Sequence, residues 1–357
     1  METKKITTVY CEGAYNTTNG KTAHGLVRLT ERYDIQSVID SRYAGQDAGM
    51  ALDGKNNGIP IVGSLEEAMK VNDNKKPSHF VVGLAPDGGR LDKAARQDVK
   101  AAIKLGLSVD SGLHDYLTDD PEVMKLATEA NVHIHDIRKP AAVKDLHFFT
   151  GNIEKVKALK IAVLGTDSAV GKRTTAWRVV FGFREAGYKA ELIGTGQTAW
   201  LQGAKYSMVM DSVVNDFVSG EIEHAVYSCW ENEKPDVIVL EGQGSLMNPA
   251  YPGGFELLAA GRPDIVILQH APARLEYDGF PGYPLHPIDH QIRAIEVLSG
   301  KKVVAITVNH EDLRADQIDE VCRRIEAETG LPTTDVLVHG QEKLIKALLP
   351  YLKIKQH

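Results

Sequence analysis

The chain has 357 residues, 43% of them hydrophobic and 25% charged, with a formal net charge of −7. Length and composition predict a folded protein of about two or three domains, and the acidic balance speaks against an electrostatic nucleic-acid binder. No apolar run is long enough to cross a bilayer, no signal peptide precedes the first strand-like run, and Cys11, Cys229 and Cys322 are too few and too scattered for a disulfide framework. The expectation is a cytoplasmic enzyme with a small-molecule substrate and no nucleic-acid or membrane partner. A homo-oligomer is expected because doubly wound enzymes commonly form one.

In the first half, short apolar runs alternate with amphipathic segments of helix length. Strands are expected at 6–10, 35–39, 59–62, 79–83 and 107–111, and helices at 21–33, 64–71 and 91–105. This alternation predicts a parallel sheet with helices on both faces. Ser64 followed by Glu66 and Glu67 is a helix start, and Thr118 is the expected cap of a later helix. Ligands of such sheets bind beyond the C-terminal strand ends. Arg42, Arg90 and His114 fall in those loops and together could clamp a carboxylate or a phosphate. No G-x-G-x-x-G occurs, which weakens a nicotinamide reading, and His133 and His135 are read as structural. A Pro- and Gly-punctuated stretch at 140–159 marks the junction, with domains expected at 1–145 and 146–357.

The second half opens on KIAVLGTDSAVGKRTTAWRVV, residues 160–180. A strand, a glycine-bracketed loop and a helix start form the geometry that holds phosphate, with backbone N–H groups, the helix dipole and Lys172 all favouring an anion. The candidate ligands are Gly165, Thr166, Asp167, Ser168, Ala169, Val170, Gly171, Lys172, Arg173, Thr174 and Thr175. The usual spacing is G-x-x-x-x-G-K-[ST]. Here the loop is one residue longer, and Arg173 follows the lysine. A strand ending 236-DVIVLEGQGSL-246 delivers Glu241 to a glycine-rich turn, where P-loop proteins place a carboxylate for Mg²⁺; with Thr174 it would form the metal pair of a Mg-nucleotide enzyme. A helix is expected at 209–226. The strand at 264–270 ends in His270 and leads into a long Pro/Gly/aromatic loop, 271–287, expected to be functional. His286, Asp289 and His290 could suggest a metal, but the set straddles a prolyl turn and a helix start, where Asp289 or Pro287 reads as helix-start chemistry. A strand at 302–308 ends in Asn309, a position that can read a base. A helix at 316–329, a short strand within 331–340 and a closing helix at 342–352 complete an α/β domain of P-loop type.

GTDSAVGK and EGQGS resemble the corresponding loops of dethiobiotin synthetases, but Glu191 stands where their substrate-side lysine would fall, so that reaction is not expected. A broader resemblance runs through KTAHGLVR, GIPI, SGLH, GTDSAVGK, TGQT, VNDFVSGE, EGQGSL and GYPL. In this order they resemble the two-domain proteins of the domain-of-unknown-function 1611 family. The resemblance implies an N-terminal Rossmann-like domain followed by a C-terminal P-loop NTPase-like domain. It also implies a relation to D-glutamate N-acetyltransferases. Gln197 of TGQT and Gln243 of EGQGSL are substrate candidates within these segments.

Two enzymatic readings follow. In the first, the P-loop holds phosphates of acetyl-CoA as cosubstrate, and an amino acid attacks the thioester with Glu241 or His270 as base. In the second, Mg-ATP activates a carboxylate. A nucleotide-sensing module without catalysis is the third alternative.

Overall fold

The computed structural model describes residues 3–356. The chain forms two compact units. Unit 1 takes the chain up to Pro140 together with Gln197–Gly203, and unit 2 takes the remainder. The expected division at 145/146 therefore moves to 140/141, and one short segment changes sides.

Unit 1 runs β1 (Lys5–Tyr10), α1 (Lys21–Arg28), β2 (Tyr33–Ile39), α2 (Ala48–Asp53), β3 (Ile61–Val62), α3 (Leu65–Ala68), β4 (His79–Val82), α4 (Lys93–Lys104), β5 (Ser108–Ser111), α5 (Pro121–Ala130) and β6 (Ile134–Asp136). All pairings are parallel, in the order β3-β2-β1-β4-β5-β6. That is the Rossmann order, with its switch point between β1 and β4. Ser64 caps α3 through the Glu67 N–H, as expected. Thr118 does not cap α5. Its hydroxyl and N–H go to Asp136, and Asp120 is the cap. Helix α1 stops at Arg28, short of Tyr33, because Leu29 turns extended (φ −164°) and Tyr33 opens the next strand.

Unit 2 runs β7 (Leu159–Gly165), α6 (Lys172–Glu185), β8 (Ala190–Gly194), then β9 (Tyr206–Ser207), α8 (Asn215–Glu233), β10 (Val237–Glu241), α9 (Phe255–Ala259), β11 (Ile265–His270), α10 (Ile288–Ser299), β12 (Val303–Val308), α11 (Ile318–Thr329), β13 (Thr333–Thr334) and α12 (Glu342–Gln356). Between β8 and β9 the chain forms α7 (Gln197–Gln202). The parallel sheet has the order β13-β12-β11-β7-β10-β8-β9. Every residue of β7 is buried, as a central parallel strand covered on both faces must be, each apolar side chain contributing roughly 1.5–3 kcal/mol. Helix α8 begins at Asn215 rather than 209, since Met210–Ser212 forms a single 3₁₀ turn.

Helix α7 follows β8 in sequence but is part of unit 1. Gln202 Nε2 donates to the Gly25 and Leu29 carbonyls at 2.8 and 3.1 Å, and the Arg32 guanidinium stacks 3.8 Å over the Trp200 ring. The three cysteines are free and buried, and no helix among the described residues is long and apolar enough to cross a membrane.

Candidate functional site

Strand β7 ends at Gly165 with β10 on one side and β11 on the other. The loop after it crosses to α6 through two left-handed residues, Ala169 (φ +54°) and Gly171 (φ +102°). Val170 anchors it in the core. The Lys172 stem threads a slot between two glycines. A Cβ on Gly165 would lie 2.9 Å from Lys172 Cδ, and one on Gly242 would lie 3.1 Å from the same atom and 2.3 Å from the Val163 carbonyl. This explains the first glycine of EGQG. The second, Gly244, offers its carbonyl: Lys172 Nζ donates to the Gly244 and Asp167 oxygens, both at 2.7 Å. Burial pulls the Lys172 ammonium down to about 8, with the Asp167 and Glu241 charges opposing.

Asp167 is fully buried inside a loop expected to attract anions. Its Oδ1 accepts from the Ser168 N–H at 2.6 Å and Asn248 Nδ2 at 2.9 Å; its Oδ2 accepts from Arg274 Nη1 at 2.9 Å and the Asp278 N–H at 2.8 Å. Asp167 is therefore a strut, its charge matched by Arg274, which also donates to the Ser168 carbonyl and to Glu311. Neither Arg274 nor Asn248 was singled out in the sequence, although Arg274 lies in the long loop marked as functional.

Two expected hydroxyl ligands are committed elsewhere. Thr175 turns its hydroxyl to Gln269, which also receives Thr307. Thr166 is buried, its N–H bonded to the Gln269 carbonyl and its Oγ1 3.0 Å from His270 Nδ1. Ser168 and Thr174 are half-buried and Ala169 is exposed. Asn309 lies beside the loop: its N–H donates to the His270 carbonyl at 2.7 Å, and its Nδ2 comes 4.0 Å from the position of a Cβ on Gly171.

Glu241 is buried at the end of β10, where its Oε2 accepts the Thr195 N–H at 2.9 Å while Thr195 Oγ1 donates to the Glu241 carbonyl. Burial raises its pKa, opposed first by the Arg173 charge and then by the Thr195 and Gly196 N–H groups and Lys172. Gln243 donates to Thr195 Oγ1 at 3.0 Å. His270 is held down to about 4 by burial and the Arg324 charge, which leaves a neutral imidazole at pH 7. His286 pairs with Tyr277 at 2.8 Å within the loop.

The unit 1 candidates sit in the loops that follow the strands. The Arg42 guanidinium pairs with buried Asp40 through Nε and Nη2 at 3.0 and 2.7 Å and also donates to the Tyr15 carbonyl. Arg90 and His114 are exposed, and the His114 backbone N–H donates to the Gly89 carbonyl at 2.9 Å. Gln197, at the start of α7, is buried against Gly112, with its Nε2 3.3 Å from Thr22 Oγ1.

A family model described as the P-loop domain of DUF1611 matches residues 147–345, and one described as its Rossmann-like N-terminal domain matches 41–140. A D-glutamate N-acetyltransferase of a Pseudoalteromonas species is 32% identical over 276 residues, covering 75% of this chain and 80% of that protein. One from Tritonibacter scottomollicae is 30% identical with the same coverage. The crystal structure of a DUF1611 family protein from Anabaena variabilis superposes with a TM-score of 0.89 at 29% identity, covering 97% of this chain and 100% of its own. With both domains matched in the same order, the chain belongs to the DUF1611 family.

Proposed function

We propose that this protein transfers an acetyl group from acetyl-CoA to the amino group of an acidic amino acid of the D-glutamate type, with the loop at 165–174 holding phosphate oxygens of the coenzyme. The observation that carries the reading is the similarity, across 75% of the chain, to proteins named D-glutamate N-acetyltransferase. The loop supplies what a coenzyme phosphate needs: the N-terminus of a 14-residue helix, a buried lysine beneath it, and a framework fixed by the Asp167–Arg274 pair.

In the reaction the amine nitrogen attacks the thioester carbonyl, a C–N bond forms, the C–S bond breaks, and the coenzyme leaves as thiolate. The attacking ammonium must first lose a proton. His270 is the base this reading favours, since it is neutral at pH 7 and the Thr166 hydroxyl fixes its ring beside the loop. Glu241 is enclosed and already accepts a backbone N–H, which suits a structural acceptor under the loop better than proton exchange. The test is incubation with acetyl-CoA and either enantiomer of glutamate or aspartate, following product by mass spectrometry. N-acetyl-D-glutamate with stoichiometric CoA release is expected. No acetylated product from any acidic amino acid would overturn the reading.

A further inference from the structure

P-loop sites commonly hold Mg²⁺ through the hydroxyl directly after the lysine and a carboxylate from a neighbouring strand. The residues here do not fit that ion. Arg173 stands at the hydroxyl position. Thr174 comes one residue later, about 100° further round the helix, and Thr175 is turned to Gln269. Glu241, the strand carboxylate, already accepts the Thr195 N–H and is enclosed.

The local charge argues the same way. Lys172 and Arg173 occupy the first two positions of α6, where the helix dipole is itself positive, and Arg274 approaches the loop through Asp167 and Ser168. Of these, Arg274 is matched by Asp167 and Glu311, and Lys172 and Arg173 stand at the helix start itself. At the start of α6 a divalent cation would meet the positive end of the dipole beside Lys172 and Arg173, whereas an anion would be drawn in. The strand that carries Glu241 runs directly under the start of the helix, since Gly242 abuts the Lys172 stem. Arg173 acts electrostatically on Glu241. A planar guanidinium can grip two phosphate oxygens at once, which a hydroxyl cannot.

We infer that this site binds a diphosphate without a divalent cation, the Arg173 guanidinium supplying the charge and hydrogen bonds that Mg²⁺ supplies in other P-loop sites. For acetyl-CoA as the ligand the inference rests on the acyltransferase reading; for the diphosphate group itself it does not.

The experiment is calorimetric titration of the intact chain with ADP, and separately with acetyl-CoA, in excess EDTA and in millimolar Mg²⁺. The expected result is equal affinity in both buffers. Arg173→Thr, which restores the usual hydroxyl, should weaken binding in EDTA by about 10- to 100-fold and regain part of it with Mg²⁺. Arg173→Lys should lose less, and thermal melting of both variants checks that they fold. A wild-type affinity at least about tenfold weaker in EDTA overturns the inference, as does failure of both probes to bind in either buffer. Metal-free binding of ADP with none of acetyl-CoA would uphold it and sink the acyltransferase reading instead.

Discussion

Arg274 and Asp167 lie 107 residues apart in sequence and 2.9 Å apart in space, and their ion pair fastens the phosphate loop to the loop that follows β11. An acid inside an anion-binding loop would repel its ligand. Here the charge is neutralised and fully buried, so it shapes the loop instead.

Removing one member of a buried pair leaves the other uncompensated. Arg274→Ala should therefore destabilise unit 2 by about 3 kcal/mol. Adding Asp167→Asn should recover at least about 1 kcal/mol, a non-additivity that direct contact requires. Urea unfolding followed by tryptophan fluorescence measures both. Simple additivity of the two losses would contradict the strut.

Lys172 titrates at about 8 against an ordinary 10.5. Between those values the unfolded chain binds a proton that the folded one does not, so this group adds stability as pH rises through the window. Anion affinity moves the opposite way. It should be full below pH 8 and fall by up to about tenfold per unit above it, measured as acetyl-CoA affinity at pH 7 and pH 9. Lys172→Ala should bind weakly and lose this pH dependence while still folding.

The Gly242 position has no room for a methyl group: the nearest backbone oxygen would be 2.3 Å away and the Lys172 stem 3.1 Å. Gly242→Ala should cost about 1–3 kcal/mol through overpacking and displace the lysine as well. Thermal melting and acetyl-CoA affinity should fall together. A stable variant with normal affinity would show that the slot is not as tight as described.

His270, if it is the base, should lower kcat by about 10²-fold or more when changed to Ala, with little change in acetyl-CoA affinity. Because burial holds its pKa at about 4 rather than 6.5, the imidazole is already unprotonated at pH 5.5, and kcat/KM should show no break near pH 6.5 from this group. A clear break there, lost in His270→Ala, would contradict the buried neutral imidazole.

Much of the fold was legible because central parallel strands announce themselves as unbroken apolar runs; β7 and β10 contain the expected runs, and β11 falls within one residue of expectation. The phosphate loop was legible for the same reason, its glycines and lysine following such a run. Edges were not. The expected strand at 331–340 reduces to Thr333–Thr334, since Asp335 takes the Leu337 and Val338 N–H groups and turns the chain. The pairing of Arg42 with buried Asp40 was not legible either, since it depends on backbone geometry. The Arg274–Asp167 pair and the membership of α7 in unit 1 depend on tertiary packing, which local periodicity does not encode.

The central claim is that the phosphate loop serves an acetyl-CoA-dependent transfer. Its most direct test is calorimetric titration of the wild-type protein with acetyl-CoA and, in parallel, with ATP plus Mg²⁺. Micromolar acetyl-CoA binding that Lys172→Ala abolishes is the predicted result. Tight Mg-ATP binding with no heat from acetyl-CoA would contradict the account and return the site to nucleotide chemistry.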